Sequence, residues 1–227
     1  MNNNAVGLVL GGLLLALGVG IAGIQVGDGL QKLRSSDRYV VVKGLAEREV
    51  PADLVVWPIT FSETGNDLGE IYDRIQANAG LIAAFLADNG LGGAEASMSP
   101  PRVQDFLADG YRQEQPNNRY RAEVTYTVRS DEVMAVKAAM ERSGELIRSG
   151  VAFTPWGAPT QFFFTALNDI KPELLAEATA QARIAAEQFA RDSDSEVGGI
   201  RTANQGVISI SDRDANTPDI KRVRVVT

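Results

Sequence analysis

The chain has 227 residues, 44% of them apolar, a net charge of −7, and neither histidine nor cysteine. The two absences exclude Ser-His-Asp triads, Cys-His dyads, disulfides and cysteine-ligated zinc or iron–sulfur sites. The acidic balance leaves no basic footprint for nucleic acid.

Met1 to Gly27 contains no charged residue, and its apolar part runs from Ala5 to Val26. A helix crosses the hydrocarbon core with roughly 20 apolar residues, whereas the apolar region of a secretory signal is nearer 7–15. Length and the absence of a basic start favour a retained transmembrane anchor over residues 1–27, in contact with membrane lipid through residues 5–26. A cleaved signal is the alternative, since Gly20-Ile21-Ala22 is an acceptable cleavage site. Lys32, Arg34 and Arg38 follow the span, and the positive-inside bias by itself would put the globular part in the cytoplasm. Gly7/Gly11 and Gly23/Gly27 have the small-xxx-small spacing that lets membrane helices pack closely, although glycine is common in such helices anyway.

A polar linker at 28–38 leads into a soluble domain at 39–227 of about 190 residues, enough for a sizeable core. Tyr39-Val40-Val41-Val42-Lys43-Gly44 begins a β-branched strand that continues to Val50. Pro51-Ala52-Asp53 breaks it, and Leu54 to Ser62 reads as a second strand in which Pro58 marks an edge or a bulge. Asn66 to Asn89 is helical, with Ile71, Ile75, Ala79, Ile82, Phe85 and Leu86 on one face, Asn66 or Asp67 as cap and Asn89-Gly90 as stop. Ala96 to Leu107 is a strand interrupted by Pro100-Pro101, and Asp109 to Asn118 a polar loop.

Tyr120 to Arg129 alternates cleanly, as a half-buried strand does. Asp131 to Arg148 is a helix with Val133, Val136, Met140 and Ile147 inward. Val151 to Thr165 is strand-like, aromatic, and bent by Pro155 and Pro159. The longest helix runs from about Asn168 to Asp192, alanine-rich, with Pro172 in its first turn. Val197 to Ser211 is strand-like, and Val223, Val225 and Val226 begin a last strand that suggests further residues beyond Thr227. The order predicts an α+β domain, largely antiparallel sheets with helices packed on one face.

These blocks resemble the SIMPL-domain family. The opening Val41-x-Lys43-Gly44-x-Ala46-x-x-x-Val50-x-Ala52-Asp53 is similar to that family's first strand and turn. Phe85 to Leu91, then Tyr120-x-Ala122 with Asp131, then the alanine-spaced helix Leu174 to Ala190 with Val197-Gly198-x-Ile200, match its later blocks in order. Leu45-Ala46 follows Gly44 where a second glycine is usual, and Asp192-Ser193-Asp194-Ser195 replaces a glycine-bearing turn. The resemblance covers roughly Tyr39 to Thr227 and carries no catalytic residues. It implies an extracytoplasmic, mostly periplasmic protein that assembles into large ring- or channel-like homo-oligomers, some members being associated with oxidative-stress defence. For this chain that implies a single-pass protein of the bacterial inner membrane with its soluble domain in the periplasm, against the charge bias.

Candidate chemistry is sparse, and no catalytic residue, cofactor or metal is expected. Asp212-x-Asp214-x-Asn216 looks like half a calcium loop but has Thr217 and Val223 where glycine and glutamate are needed. Asp192-x-Asp194-x-Glu196 reads as a solvated connection. Asp53, Glu63, Asp105 and Asp109 lie near strand ends with no spacing to pair them, and Ser130 and Lys137 do not make a Ser–Lys nucleophile. Tyr111, Trp156 and Phe162-Phe163-Phe164 are the notable aromatics. On a strand Phe162 and Phe164 share one face and Phe163 the other. Trp156, Phe162, Phe163 and Phe164 are therefore the candidate homo-oligomer interface, with packing in the core as the simpler reading. The functional expectation is a non-enzymatic, membrane-anchored, self-assembling protein. The alternative is a monomeric or dimeric module that binds a ligand or another membrane protein.

Overall fold

The computed structural model describes residues 11–13, 15–26, 39–108, 117–154 and 156–227. In chain order the elements are β1 (Leu45–Pro51), β2 (Leu54–Gly65), α1 (Leu68–Asp88), β3 (Glu95–Met98), β4 (Arg102–Asp105), β5 (Tyr120–Ser130), α2 (Val133–Glu141), α3 (Gly144–Arg148), β6 (Gln161–Phe163), α4 (Leu167–Asp192), β7 (Ile208–Asp212) and β8 (Ile220–Val226). Every strand pairing is antiparallel. The fold is α+β, as its sequence pattern predicts, but the strands divide into two sheets with two separate cores.

Alternation along β2 and β5 builds the larger sheet, ordered β3-β5-β2-β6 with β4 continuing the β3 edge. Val55, Trp57, Ile59 and Phe61 point to one face, with Val124 and Val128 opposite Phe61 and Trp57. That face is covered by Ile71, Ile75, Ile82, Phe85 and Leu86 of α1 and by Val133, Val136 and Ala139 of α2. Asp67 caps α1 by accepting from the Gly69 and Glu70 amides at 2.7 and 3.0 Å. The helix ends where Gly90 turns left-handed at φ 79°. The buried face of α1 also holds Asn78, whose amide donates to Glu63 Oε1 at 2.7 Å. Arg74 Nε donates to the same carboxylate at 3.0 Å, so the buried polar group is satisfied.

The small sheet is ordered β1-β8-β7 and is packed under α4. Ala46, Val50, Val223, Val225, Leu174 and Ala178 form its core. The opposite face is a charge ladder in which Glu47 lies across from Arg224 and Glu49 from Arg222, an arrangement suited to solvent. Lys221, only 6% exposed, sits at the end of the inner face and pairs with Asp212. Gly44 sits so close to α4 that an added Cβ would lie 1.7 Å from the Ala178 carbonyl oxygen. The glycine in the opening motif is thus the place where the start of β1 touches a helix backbone.

Three contacts join the two halves. Asp53, in the β1–β2 turn, accepts from the Thr165 and Ala166 amides at 2.7 and 2.9 Å, at the start of α4. Asp219 accepts from Lys137 Nζ of α2 at 2.5 Å, and its carbonyl takes the Ala52 amide at 2.8 Å. The chain itself crosses between cores at Phe162 and Phe164.

Several expectations need correction. Tyr39 to Gly44 is not strand, since the β1–β8 ladder begins at Leu45↔Val226 and no described strand lies beside residues 39–43. The Ala96–Leu107 strand is two short ones, because Pro100-Pro101 inserts one extra residue between them. β3 pairs Met98 with Tyr126 and β4 pairs Arg102 with Glu123, so three residues oppose two. The Asp131–Arg148 helix breaks at Arg142-Ser143, which turns Leu146 inward and leaves Ile147 exposed. Pro172 lies inside α4 beyond its first turn and removes one rung of the ladder. Of Val197 to Ser211, only the residues from Ile208 onward are strand.

Residues 15–26 are helical with exposed side chains, about 18 Å of helix at 1.5 Å per residue. Among the described residues no helix is long and apolar enough to cross a membrane. The anchor expected over residues 1–27 falls largely outside them, as do Gly7 and Gly27, while Gly11 and Gly23 are helical with open space where a Cβ would stand.

Candidate functional site

Among the described residues, Asp53, Glu63 and Asp105 are held apart, each with its own partner. Asp53 caps α4, Glu63 holds Arg74 and Asn78, and Asp105 takes Arg119 Nη2 at 2.8 Å. The Arg119 guanidinium holds the Asp105 carboxyl below its usual range. Asp109 and Tyr111 lie outside the described residues. Ser130 Oγ accepts from the Glu132 amide and Lys137 is paired with Asp219, so they do not meet. Lys137 in turn holds the Asp219 carboxyl below its usual range, against a partial opposing effect of burial.

Asp214 closes a tight turn instead of half a calcium loop. Its carboxylate accepts from the Thr217 hydroxyl at 2.5 Å and from the Asn216 and Thr217 amides at 2.9 Å. The Thr217 hydroxyl, the Asn216 amide and Arg213 lower its pKa to about 2. In Asp192-x-Asp194-x-Glu196, Asp192 accepts from Gln188 one turn earlier, within the last turn of α4. Among the described residues no group of three or more carboxylates is placed to hold a metal ion.

The four interface candidates separate. Phe162 is buried in the larger core, and Phe164 packs against the smaller one. Phe163, 41% exposed, faces outward on β6. Trp156 is 90% exposed. The shared face expected of Phe162 and Phe164 does not form, because β6 ends at Phe163 and the chain turns toward α4.

A cleft of about 330 Å³ opens at the edge of β2, lined in part by Thr154 and by Gly157, the residue after Trp156. The cleft exists because the neighbour of β2 is discontinuous. Phe153 bridges Phe61, β6 pairs only with Leu54–Val56, and the described residues between them form no strand beside β2. Thr154 N–H donates to the Thr60 carbonyl and Ser62 N–H to the Ala152 carbonyl. Strand alternation therefore points Pro58 to this same side, away from β5. Its missing N–H costs the β2–β5 ladder nothing, and Pro58 marks a local edge within an otherwise internal strand. Trp57, Ile59, Met140, Phe153, Ala158 and Pro159 give the walls an apolar character, and no charged side chain lines them.

A second open surface is the outer edge of β7. Val226 N–H donates to the Val207 carbonyl and Arg213 N–H to the Ile220 carbonyl, so the odd-numbered amides of β7 face β8. Those of Ile208, Ile210 and Asp212 face outward, where no described strand pairs with them. The strand carries no proline, and Ile210 is 40% exposed. Sequence pattern misses both features, because an edge and a gap depend on which distant segment fails to arrive.

The fold and its motifs can be set beside known proteins. The model of the family described as "SIMPL: Protein of unknown function (DUF541)" matches residues 40–224. The chain belongs to the SIMPL family. The match spans both sheets and all four labelled helices, so the SIMPL domain includes the two-core body, with Gly44 and Asp53 in its first turn-forming block. No curated protein matches this SIMPL chain.

Proposed function

We propose that this chain is a non-enzymatic SIMPL protein held at the bacterial inner membrane by its N-terminal segment, with its domain in the periplasm, and that it assembles with its own copies into a large ring- or cage-like homo-oligomer. Envelope or oxidative-stress defence is the process such an assembly would serve. The observation that carries the reading is the bare outer edge of β7. Native proteins blunt exposed edges with proline, charge or bulges, and the β3–β4 edge has this protection in Pro100-Pro101. β7 offers outward amides at Ile208 and Ile210 with no proline, and its one charged residue, Asp212, stands at its end paired with Lys221. A strand other than β7 from a second copy, added there, makes a head-to-tail contact, and head-to-tail contacts close into rings when the rotation permits. Anchoring in one plane raises the local concentration, so each contact can be weak.

The full chain purified in mild detergent should run as a large homo-oligomer by light scattering. Ile210→Pro removes an outward N–H without touching the β8 ladder and should disperse the assembly while the domain stays folded. A monodisperse wild-type monomer would overturn self-assembly. A stoichiometric second polypeptide at the β7 edge would favour the partner-binding alternative.

A further inference from the structure

We infer that the end of the domain at Tyr39 is a membrane-docking face, seated on the lipid surface by its own exposed apolar side chains. The inference rests on the membrane anchor of the proposed function and adds to it an orientation of the domain. Chain directions locate the face. Gly44 lies against the Ala178 and Ala182 backbone of α4, while Arg48 further along β1 holds Glu173 at 2.8 Å. β1 therefore runs antiparallel to α4, and the residues before Gly44 head for the C-terminal end of the helix. That end overhangs the small sheet. α4 has 26 residues, about 39 Å at 1.5 Å each, whereas β1 has 7, about 23 Å at ~3.3 Å each.

A second segment returns over the same end. Ser195 N–H donates to the Ala190 carbonyl at 2.9 Å, and the chain runs back to Val207, whose carbonyl takes the Val226 amide. On the way the Arg201 guanidinium stacks over the Tyr39 ring at 5.0 Å. Neither segment forms a strand, and both leave apolar side chains in solvent. Ile200 is 84% exposed and Val41 75%, and Tyr39, Val197, Val207 and Phe189 are exposed with them. Phe189 shares the helix face of Ala178 and Ala182 but stands about 10 Å further along the axis, past the start of β1.

Exposed apolar groups gathered in this way mark a surface that another body covers. Connectivity says which body. Residues 5–26 are the uncharged apolar stretch, and residues 28–38 reach at most about 40 Å at ~3.6 Å each. The linker arrives at Tyr39, inside the patch, so the anchor brings this end to the bilayer. The larger core lies toward the opposite end of α4, where Asp53 accepts the Ala166 amide. Charge sets the mode of contact. Lys43 and Arg201 are offset by Asp192, Asp194 and Glu196 around the end of α4, so anionic lipid is not the attraction. The apolar side chains enter the headgroup boundary by about 5–10 Å, a layer that suits the ring and hydroxyl of Tyr39.

The test uses the full chain in phosphatidylcholine nanodiscs at one chain per disc. The chain has no cysteine, so Val41→Cys, Ile200→Cys or Gln76→Cys each carries a single nitroxide label. Gln76 is exposed on α1 and serves as the reference. At 41 and 200, collision with a water-soluble nickel chelate should be about tenfold lower than at 76, collision with oxygen should be higher, and both should hold in high salt. Ile200→Glu should restore nickel access at position 41, with unchanged circular dichroism confirming that the domain is folded. Labels at 41 and 200 as accessible as at 76, in a chain that floats with lipid vesicles, would overturn docking while leaving the anchor intact. A chain that fails to float would overturn both. Protection lost in high salt, or seen only with several chains per disc, would assign the patch to a charge contact or to a chain–chain contact and overturn the inference.

Discussion

Gly44→Ala tests whether the small sheet depends on one close backbone approach. The added Cβ would stand 1.7 Å from Ala178 O and 2.6 Å from Ala182 N. Carbon and carbonyl oxygen normally come no closer than about 3.3 Å, so α4 or the start of β1 must retreat by about 1.6 Å. Both obstructing atoms are backbone, and no side chain can swing aside. A gap of 0.5–1 Å already forfeits a quarter to a half of each dispersion contact, and the retreat lifts Leu174 and Ala178 off Val223 and Val225. Overpacking costs about 1–3 kcal/mol, and this case belongs at the top of that range.

A loss of about 3 kcal/mol speeds exchange from the opened state by about 100-fold. Hydrogen exchange read on peptides covering β8 should therefore accelerate by that factor in Gly44→Ala, with exchange across β5 unchanged because β5 belongs to the other core. If β8 exchange stayed within threefold of the parent, the claim that Gly44 is required by contact with α4 would be wrong.

The remaining predictions concern other links in the chain of cause. Gly80 lies on the exposed side of α1 with nothing within 4 Å of a Cβ, so Gly80→Ala should stabilise the domain by about 0.5–1 kcal/mol through helix propensity, read as a higher urea midpoint at constant m. The lowered carboxyl pKa values of Asp214, Asp219 and Asp105 predict acid sensitivity with a definite sign. Each carboxylate binds its proton less readily folded than unfolded, so its contribution is complete above the ordinary carboxylate pKa near 3.8 and declines as pH falls toward about 2. Thermal melts should show midpoints falling across that window, and Asp214→Asn should flatten the slope; an unchanged slope would deny the turn's carboxylate its role.

Periodicity reported the elements whose burial is local. The α1 stripe from Ile71 to Leu86, the Asp67 cap and the alternation of Tyr120 to Arg129 were legible because each follows from 3.6- or 2-residue spacing. The single inward misreading on α1, Ala79 for Asn78, arose because a hydrogen bond to Glu63 makes an amide acceptable inside. Ile147 was misread for a similar reason, since the break at Arg142-Ser143 shifts the helical phase and brings Leu146 in. Tyr39 to Val42 has strand composition, yet β propensity becomes a strand only where another backbone supplies hydrogen bonds.

For the candidate site, the aromatic residues were visible in the sequence but their fates were not. Phe162, Phe163 and Phe164 went to one core, the surface and the other core, a division set by where β6 stops. The unusual exposure of Trp156 depends on the detour between Phe153 and β6, which no periodicity encodes.

Composition and local spacing alone determined the uncharged apolar stretch at residues 5–26, the α+β class, the absence of histidine and cysteine chemistry, and the blocks that place the chain in the SIMPL family. Tertiary structure alone decided that the described strands form two sheets over two cores, that Gly44 abuts α4, that Asp53, Glu63 and Asp105 have separate partners, and that no described strand covers the outer edge of β7 or the Pro58 side of β2. The division has one physical cause. Side-chain burial within an element repeats at short range along the chain, whereas an edge, a cleft or a close approach is defined by residues tens to more than a hundred positions apart.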